Sequence, residues 1–125
     1  MITTLVHVAP GGAVGSCLRF LVIAGAARLF EPGFPAGTLA VNVAGSFAMG
    51  VLAVALMQTD AARLAPFLVT GLLGGFTTFS AFSLDGVALF QQGQTGLAMG
   101  YVAGSVVLSL GALVFGMGAA RGVFA

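Results

Sequence analysis

Four long apolar stretches, separated by short links, follow one another along the chain. They cover approximately residues 4–29, 37–57, 64–90 and 96–120. Each reaches the roughly 20 apolar residues that a helix needs to cross the hydrocarbon core of a bilayer. The pattern predicts an all-α integral membrane protein with four transmembrane helices in a single domain, residues 1–125.

The links carry turn-forming or polar residues. The first, residues 30–36, contains Glu31 with two prolines and a glycine, and the other two cover residues 58–63 and 91–95. Glycine and proline interrupt regular structure, so these segments favour turns. Because the links are short, we expect neighbouring helices to run antiparallel.

Composition supports a membrane environment. The chain is 59% hydrophobic and only 6% charged, whereas about a quarter of the residues in a soluble domain carry charge. A net charge of +1 provides no basic surface for binding nucleic acid. From the hydrophobic composition we expect the protein to be surrounded by membrane lipid. With one cysteine and one histidine, we expect Cys17 to be a small buried residue and His7 an interfacial one.

The arginines give little preference for one orientation. Arg63 and Arg121 belong to one side of the predicted bundle and Arg28 to the other. The positive-inside rule therefore has a bias of a single charge to act on. Insertion in both orientations, followed by antiparallel homodimerisation, is compatible with this pattern.

Glycine is unusually frequent, with 20 residues, and part of it recurs every four positions. Such stripes allow membrane helices to approach closely. We expect close packing at Gly11 and Gly15 and at Gly96, Gly100 and Gly104.

Polar side chains also recur every four residues within two predicted helices. They are Thr38, Asn42 and Ser46 in the second helix, and Tyr101, Ser105 and Ser109 in the fourth. Polar groups in hydrocarbon are costly and tend to face a cavity or one another. Most of these groups are hydrogen-bond donors, so they suit either a path for a small hydrated anion or hydrogen bonds between helices.

The third predicted helix contains an unfavourable helical segment. Gly74 and Gly75 are followed closely by Thr77 and Thr78, all of them poor helix formers. We expect a break at mid-membrane, which is tolerated where it is buried in protein or lines a cavity. Carbonyl groups freed at such a break can coordinate a cation.

Two phenylalanines follow this segment at a spacing of three, so both project from one side of the helix. Phe79 and Phe82 are either core residues or, because aromatic ring edges are electropositive, a lining that favours an anion.

Three motifs resemble the Fluc (CrcB) family of fluoride channels. Residues 74–83, GGFTTFSAFS, resemble the family's GGxTTFSTFS signature. Residues 37–47, GTLAVNVAGSF, resemble its GTLxVNxxGSF run, and residues 11–19 resemble its GGxxGxxxR start. The order and spacing also match, so the resemblance covers the whole chain.

This resemblance implies passive export of fluoride across the bacterial inner (plasma) membrane, by a multi-pass protein. It implies an antiparallel, dual-topology homodimer with two fluoride pathways and a central structural sodium ion. The sodium ion would be held by the main-chain carbonyls of Gly74 and Thr77, and Arg19 would lie near a vestibule. The implied pathway residues are Asn42, Phe79, Ser80, Phe82, Tyr101, Ser105 and Ser109.

Two positions depart from the family pattern. Ala81 stands where a threonine is usual, which removes one hydroxyl from the polar track. Asp85 stands where a glutamate is usual, which shortens the reach of that carboxylate by one methylene.

Three other classes fit less well. A proton-coupled exporter of the small multidrug resistance type needs a carboxylate in its first helix, where this chain has Arg19 and no acid. A non-transporting assembly subunit would leave the polar stripes without a role. No nucleophile is paired with a base, so we expect no enzymatic activity.

Overall fold

The computed structural model describes residues 1–30 and 32–124, and its long helices agree with the sequence pattern. Helix α1 covers Ile2–Leu29, α2 covers Ala36–Gln58 and the last helix, α5, covers Thr95–Phe124. Together with the segmented third span, Ala62–Gln91, they form four helical spans that are long and apolar enough to cross a membrane. Of the predicted turn formers, Glu31 lies outside the described residues.

The third span consists of several short pieces. A 3-10 turn, Ala62–Leu64, precedes a π-helical segment, Pro66–Leu73, which continues into a single α-turn, α3, at Gly74–Phe76. Helix α4 then covers Phe79–Gln91. Between α3 and α4 the chain is extended, with ψ of 160° and 124° at the two residues that link them. The predicted interruption of the third span is therefore present.

The residues that interrupt the helix are the two threonines, whereas Gly74 itself is helical, with φ −60° and ψ −38°. Thr77 and Thr78 are β-branched, and their restricted χ1 angles favour extended backbone over helix. The depth of this break in a bilayer remains a prediction.

Two pairs of spans pack closely because glycines lie at the contacts. Helix α1 packs along the first part of the third span, and α2 packs along α5. A Cβ added at Gly15 would collide with the backbone of Leu72, and one added at Gly50 would collide with the backbone of Leu113. Close packing at the first glycine stripe is thus confirmed.

The second predicted glycine stripe behaves differently. No heavy atom of the described chain lies within 4 Å of a Cβ built at Gly96, Gly100 or Gly104. Within the protomer the expectation of close packing there is wrong, because this face of α5 points away from α2 and α4. The expectation for Cys17 is also wrong, since that residue is exposed on α1.

One cluster of buried core residues lies between α4 and α5. It consists of Phe82, Leu89, Ala98 and Tyr101, with Leu39 of α2 packed against it. Much of the remaining surface is apolar, and large side chains such as Phe20 and Phe115 are 70% exposed. An apolar exterior is appropriate for contact with lipid or with another membrane-embedded chain.

Candidate functional site

The break in the third span is held by a side chain of α2. Asn42 Nδ2 donates a hydrogen bond to the carbonyl oxygen of Thr78 at 2.9 Å, and the Thr78 amide donates to Asn42 Oδ1 at 2.8 Å. Both backbone polar groups of this extended residue are therefore satisfied by one carboxamide. The pairing gives the Thr78 amide the acceptor that it lacks in the extended conformation.

The same threonine caps the helix that follows. Thr78 Oγ1 accepts a hydrogen bond from the Ala81 amide at 3.1 Å, as an N-cap residue does. It also lies 3.2 Å from Ser80 Oγ, with either hydroxyl able to donate. The start of α4 is thus fixed by the backbone and the side chain of one residue.

The end of α3 leaves carbonyl groups free. The Thr77 amide and the Thr77 hydroxyl both donate to the carbonyl of Leu73, at 3.0 and 2.9 Å. Among the described residues, no hydrogen bond outside the helical ladders reaches the carbonyl of Gly74 or Thr77. These are the two carbonyls that the family resemblance assigns to a sodium ion.

A groove of about 400 Å³ lies beside the break, between α2, the third span and α5. It brings together five of the predicted pathway residues, from three separate spans. Apolar side chains of α2 and α5, such as Met49 and Leu113, form part of its wall. The predicted residues that line it are Asn42, Phe79, Phe82, Ser105 and Ser109.

The side chains of Thr77 and Thr78 also line the groove, and neither was among the predicted pathway residues. Their position in the segment that is unfavourable for a helix was the sequence feature that could have indicated this role. The extended backbone between α3 and α4 turns them toward α2, and residue spacing alone does not give that direction.

Among the described residues, one buried polar atom of the groove has no hydrogen-bond partner. Ser105 is 5% exposed, and its Oγ makes no hydrogen bond to the described chain. A buried hydroxyl without a partner is unfavourable. Because this hydroxyl lines the groove, it is available to a ligand there.

The two predicted phenylalanines lie side by side, with ring centroids 5.4 Å apart. Phe79 is 77% exposed, whereas Phe82 is 8% exposed and packs against Tyr101 at 5.4 Å. Both rings border the groove, but only Phe82 is also part of the core.

Three predicted residues lie away from the groove. Tyr101 is buried, and its hydroxyl donates to Asp85 Oδ2 at 3.3 Å. Ser80 is exposed beside the break, and Arg19 is half-buried on α1 and lines neither cavity.

A second cavity, of about 250 Å³, lies at the link between α1 and α2. Phe34, Thr38 and Asp85 are among its lining residues. Phe34 also meets Tyr101 edge-to-face at 5.7 Å. The carboxylate of this cavity, Asp85, is one of the two positions that depart from the family pattern. That departure was the sequence feature that could have drawn attention to this cavity.

Comparison with known proteins settles the family. Residues 6–117 match the family model described as "CrcB-like protein, Camphor Resistance (CrcB)". The chain belongs to the CrcB family. The CrcB relatives include a protein of Cereibacter sphaeroides, 59% identical over 98% of both chains, and one of Paracoccus denitrificans, 56% identical over 98% of both. A protein of Agrobacterium fabrum is 50% identical over 94% of this chain and 95% of its own.

Each of these CrcB relatives is named "Fluoride-specific ion channel FluC". The resemblance drawn from the three motifs is therefore confirmed at the level of the family. Since ion channels are not enzymes, the expectation that this chain is not an enzyme is confirmed as well. The four spans and the membership of CrcB together identify a multi-pass membrane protein.

Proposed function

We propose that this protein is a fluoride-selective channel that lets fluoride leave the cell passively across the bacterial inner (plasma) membrane. The observation that carries the proposal is the groove beside the break, where donors and phenylalanine rings from three spans converge. The name shared by its CrcB relatives supplies the identity of the ion.

The chemistry of the groove favours a small anion. Asn42 uses one Nδ2 hydrogen for Thr78, which leaves a second hydrogen for a ligand. Ser105 and Ser109 add hydroxyls, and the phenylalanine edges add electropositive surface without fixed charge. Donors of this kind replace the water that an ion sheds, and they hold it weakly enough for it to leave.

An antiparallel, dual-topology homodimer is the proposed assembly. The groove is open on one side of the protomer, and a wide apolar surface adjoins it. A second copy inserted the other way round would close this groove and contribute one of its own, giving two pathways. The small arginine bias of the links supports insertion in both orientations.

A structural sodium ion is proposed at the dimer centre. The carbonyls of Gly74 and Thr77 fit such an ion, because within the described part of the chain they accept no hydrogen bond outside the helical ladders and because carbonyls at a helix break are suited to sodium. When bound, the ion supplies positive charge to these carbonyls and restrains the break.

The proposed path begins near Arg19, whose charge attracts anions to a vestibule. It continues past Asn42 and between the edges of Phe79 and Phe82. The remaining hydroxyls of the path belong to Ser80, Tyr101, Ser105 and Ser109.

Fluoride efflux from proteoliposomes, read with a fluoride electrode, tests this function. We expect rapid release once a potassium ionophore balances charge, and no release of chloride in a parallel experiment. Absence of fluoride flux from a correctly folded preparation would contradict the proposal. Efflux that needs a proton gradient would instead indicate a coupled exporter.

A further inference from the structure

We propose that Asn42 is a positioning residue that clamps the Thr78 peptide and thereby determines where α4 begins. Its role in permeation, through the placement of the phenylalanines, rests on the proposed function. The clamp itself is a property of the fold and holds whatever ion the protein carries.

The first step is the pairing between side chain and backbone. Thr78 is extended, with φ −153° and ψ 124°, and it is the N-cap of α4, so its amide has no acceptor in a helical ladder. Asn42 provides an acceptor for the amide and a donor for the carbonyl, at 2.8 and 2.9 Å. Loss of this carboxamide would leave the Thr78 amide without its partner and would remove one donor from the Thr78 carbonyl, and an unpaired amide at this buried residue is strongly unfavourable.

The second step transmits the clamp to α4. The clamped residue places its own Oγ1 on the Ala81 amide, in the first turn of α4. Phe79 follows Thr78 directly, and Phe82 lies on the same side one turn later, with its ring 5.4 Å from that of Phe79. The position of both rings beside the groove therefore depends on the position of Thr78.

The third step shows that α2 holds both residues of the break. Gly45, nearly one turn after Asn42, meets the Thr77 side chain so closely that a Cβ would collide with Thr77 Cγ2. Thus α2 contacts Thr77 by close van der Waals packing and Thr78 by hydrogen bonds. Two adjacent contacts restrain rotation of the break, which a single contact would permit.

Hydrogen exchange at single-residue resolution tests the clamp in the purified full-length protein, in fluoride-free buffer. In the wild type we expect the Thr78 amide to exchange slowly. Asn42→Ala removes its acceptor, so exchange at Thr78 should accelerate at least about tenfold, which corresponds to about 1.4 kcal/mol. Asn42→Asp keeps an acceptor oxygen, so the Thr78 amide should stay protected.

Ser46→Ala is the matched control, because Ser46 lines the same groove one turn further along α2. We expect this variant to leave exchange at Thr78 unchanged. Asn42→Leu has nearly the same side-chain shape as asparagine but no acceptor, so accelerated exchange at Thr78 in this variant would report the lost hydrogen bond and not lost packing.

Rapid exchange at Thr78 in the wild type would overturn the proposal, and so would equal rates in the wild type and Asn42→Ala. If Asn42→Ala does not fold, the wild type and Asn42→Leu decide, since fast exchange in the wild type, or wild-type protection in Asn42→Leu, contradicts the clamp. Failure of the proposed function appears separately, as absence of fluoride flux in the wild type while protection at Thr78 persists.

Discussion

At the scale of single residues, a substitution of Ser105 should affect fluoride efflux without lowering the stability of the fold. Its hydroxyl is buried without a partner, and an unsatisfied buried polar group costs about 1–3 kcal/mol. Ser105→Ala should therefore unfold at the same temperature as the wild type or slightly higher, while fluoride efflux slows. Thermal unfolding in detergent and electrode-recorded efflux check the two effects.

Ser83→Ala is a suitable comparison for that variant, because Ser83 is exposed and its hydroxyl already donates to the Phe79 carbonyl at 2.9 Å. We expect normal efflux from it. A faster or unchanged flux in Ser105→Ala would mean that the unpartnered hydroxyl is only a packing defect.

The two phenylalanines should respond differently to the same substitution. Phe79→Ile removes an exposed ring and should slow efflux roughly tenfold, the effect of about 1.4 kcal/mol on a barrier, and the loss of its aromatic pair with Phe82 should cost about 0.5–1.5 kcal/mol of stability. Phe82→Ile should slow efflux and also destabilise the fold by about 1–3 kcal/mol, because Phe82 contacts two aromatic rings at 5.4 Å and each such pair contributes about 0.5–1.5 kcal/mol.

Phe115→Ile controls for the loss of an aromatic pair outside the groove, since Phe115 and Phe47 have ring centroids 5.9 Å apart. Its efflux should match that of the wild type. Normal flux in both groove variants would remove the phenylalanines from the proposed path.

At the scale of helices, the contact between α1 and the third span depends on the absence of a side chain. Gly15→Ala would place a Cβ against the Leu72 carbonyl and the Phe76 amide, so one backbone must move. Overpacking of this kind costs about 1–3 kcal/mol. We expect a clearly lower unfolding temperature, and disruption of α3 and of the adjoining Thr77, which together carry the proposed sodium carbonyls.

Gly25→Ala is the control on the same helix, because nothing lies within 4 Å of a Cβ at that position. Alanine is favoured over glycine in a helix by about 1 kcal/mol, so this variant should be as stable as the wild type or more stable. Equal unfolding temperatures for the two variants would argue against a tight helix contact at Gly15.

At the scale of the whole molecule, dual topology makes a quantitative prediction for labelling in intact cells. Gln58, the last residue of α2, and Gln92, in the link between α4 and α5, are exposed and lie near opposite ends of the third span. In a Cys17→Ser background, Gln58→Cys and Gln92→Cys should each react with a membrane-impermeant maleimide in about half of the molecules, because the charge bias is small. Full reaction at one position with none at the other would establish a single orientation.

The sequence by itself determined the number of spans, the place of the break and the family. Span number follows from composition, because roughly 20 apolar residues are needed to cross a bilayer wherever they pack. The break follows from local preference at Thr77 and Thr78, and the family from three motifs. The bounds of α1, α2 and α5 needed only small corrections.

The tertiary structure alone decided which polar residues meet. A repeat of four places residues on one helix face, but it does not say which neighbour that face contacts. Packing brought Asn42, Ser105 and Ser109 to one groove with the phenylalanines and buried Tyr101 against Asp85. It also turned the second glycine stripe outward and paired Asn42 with Thr78 across 36 positions, since contacts between distant segments depend on the arrangement of all the helices.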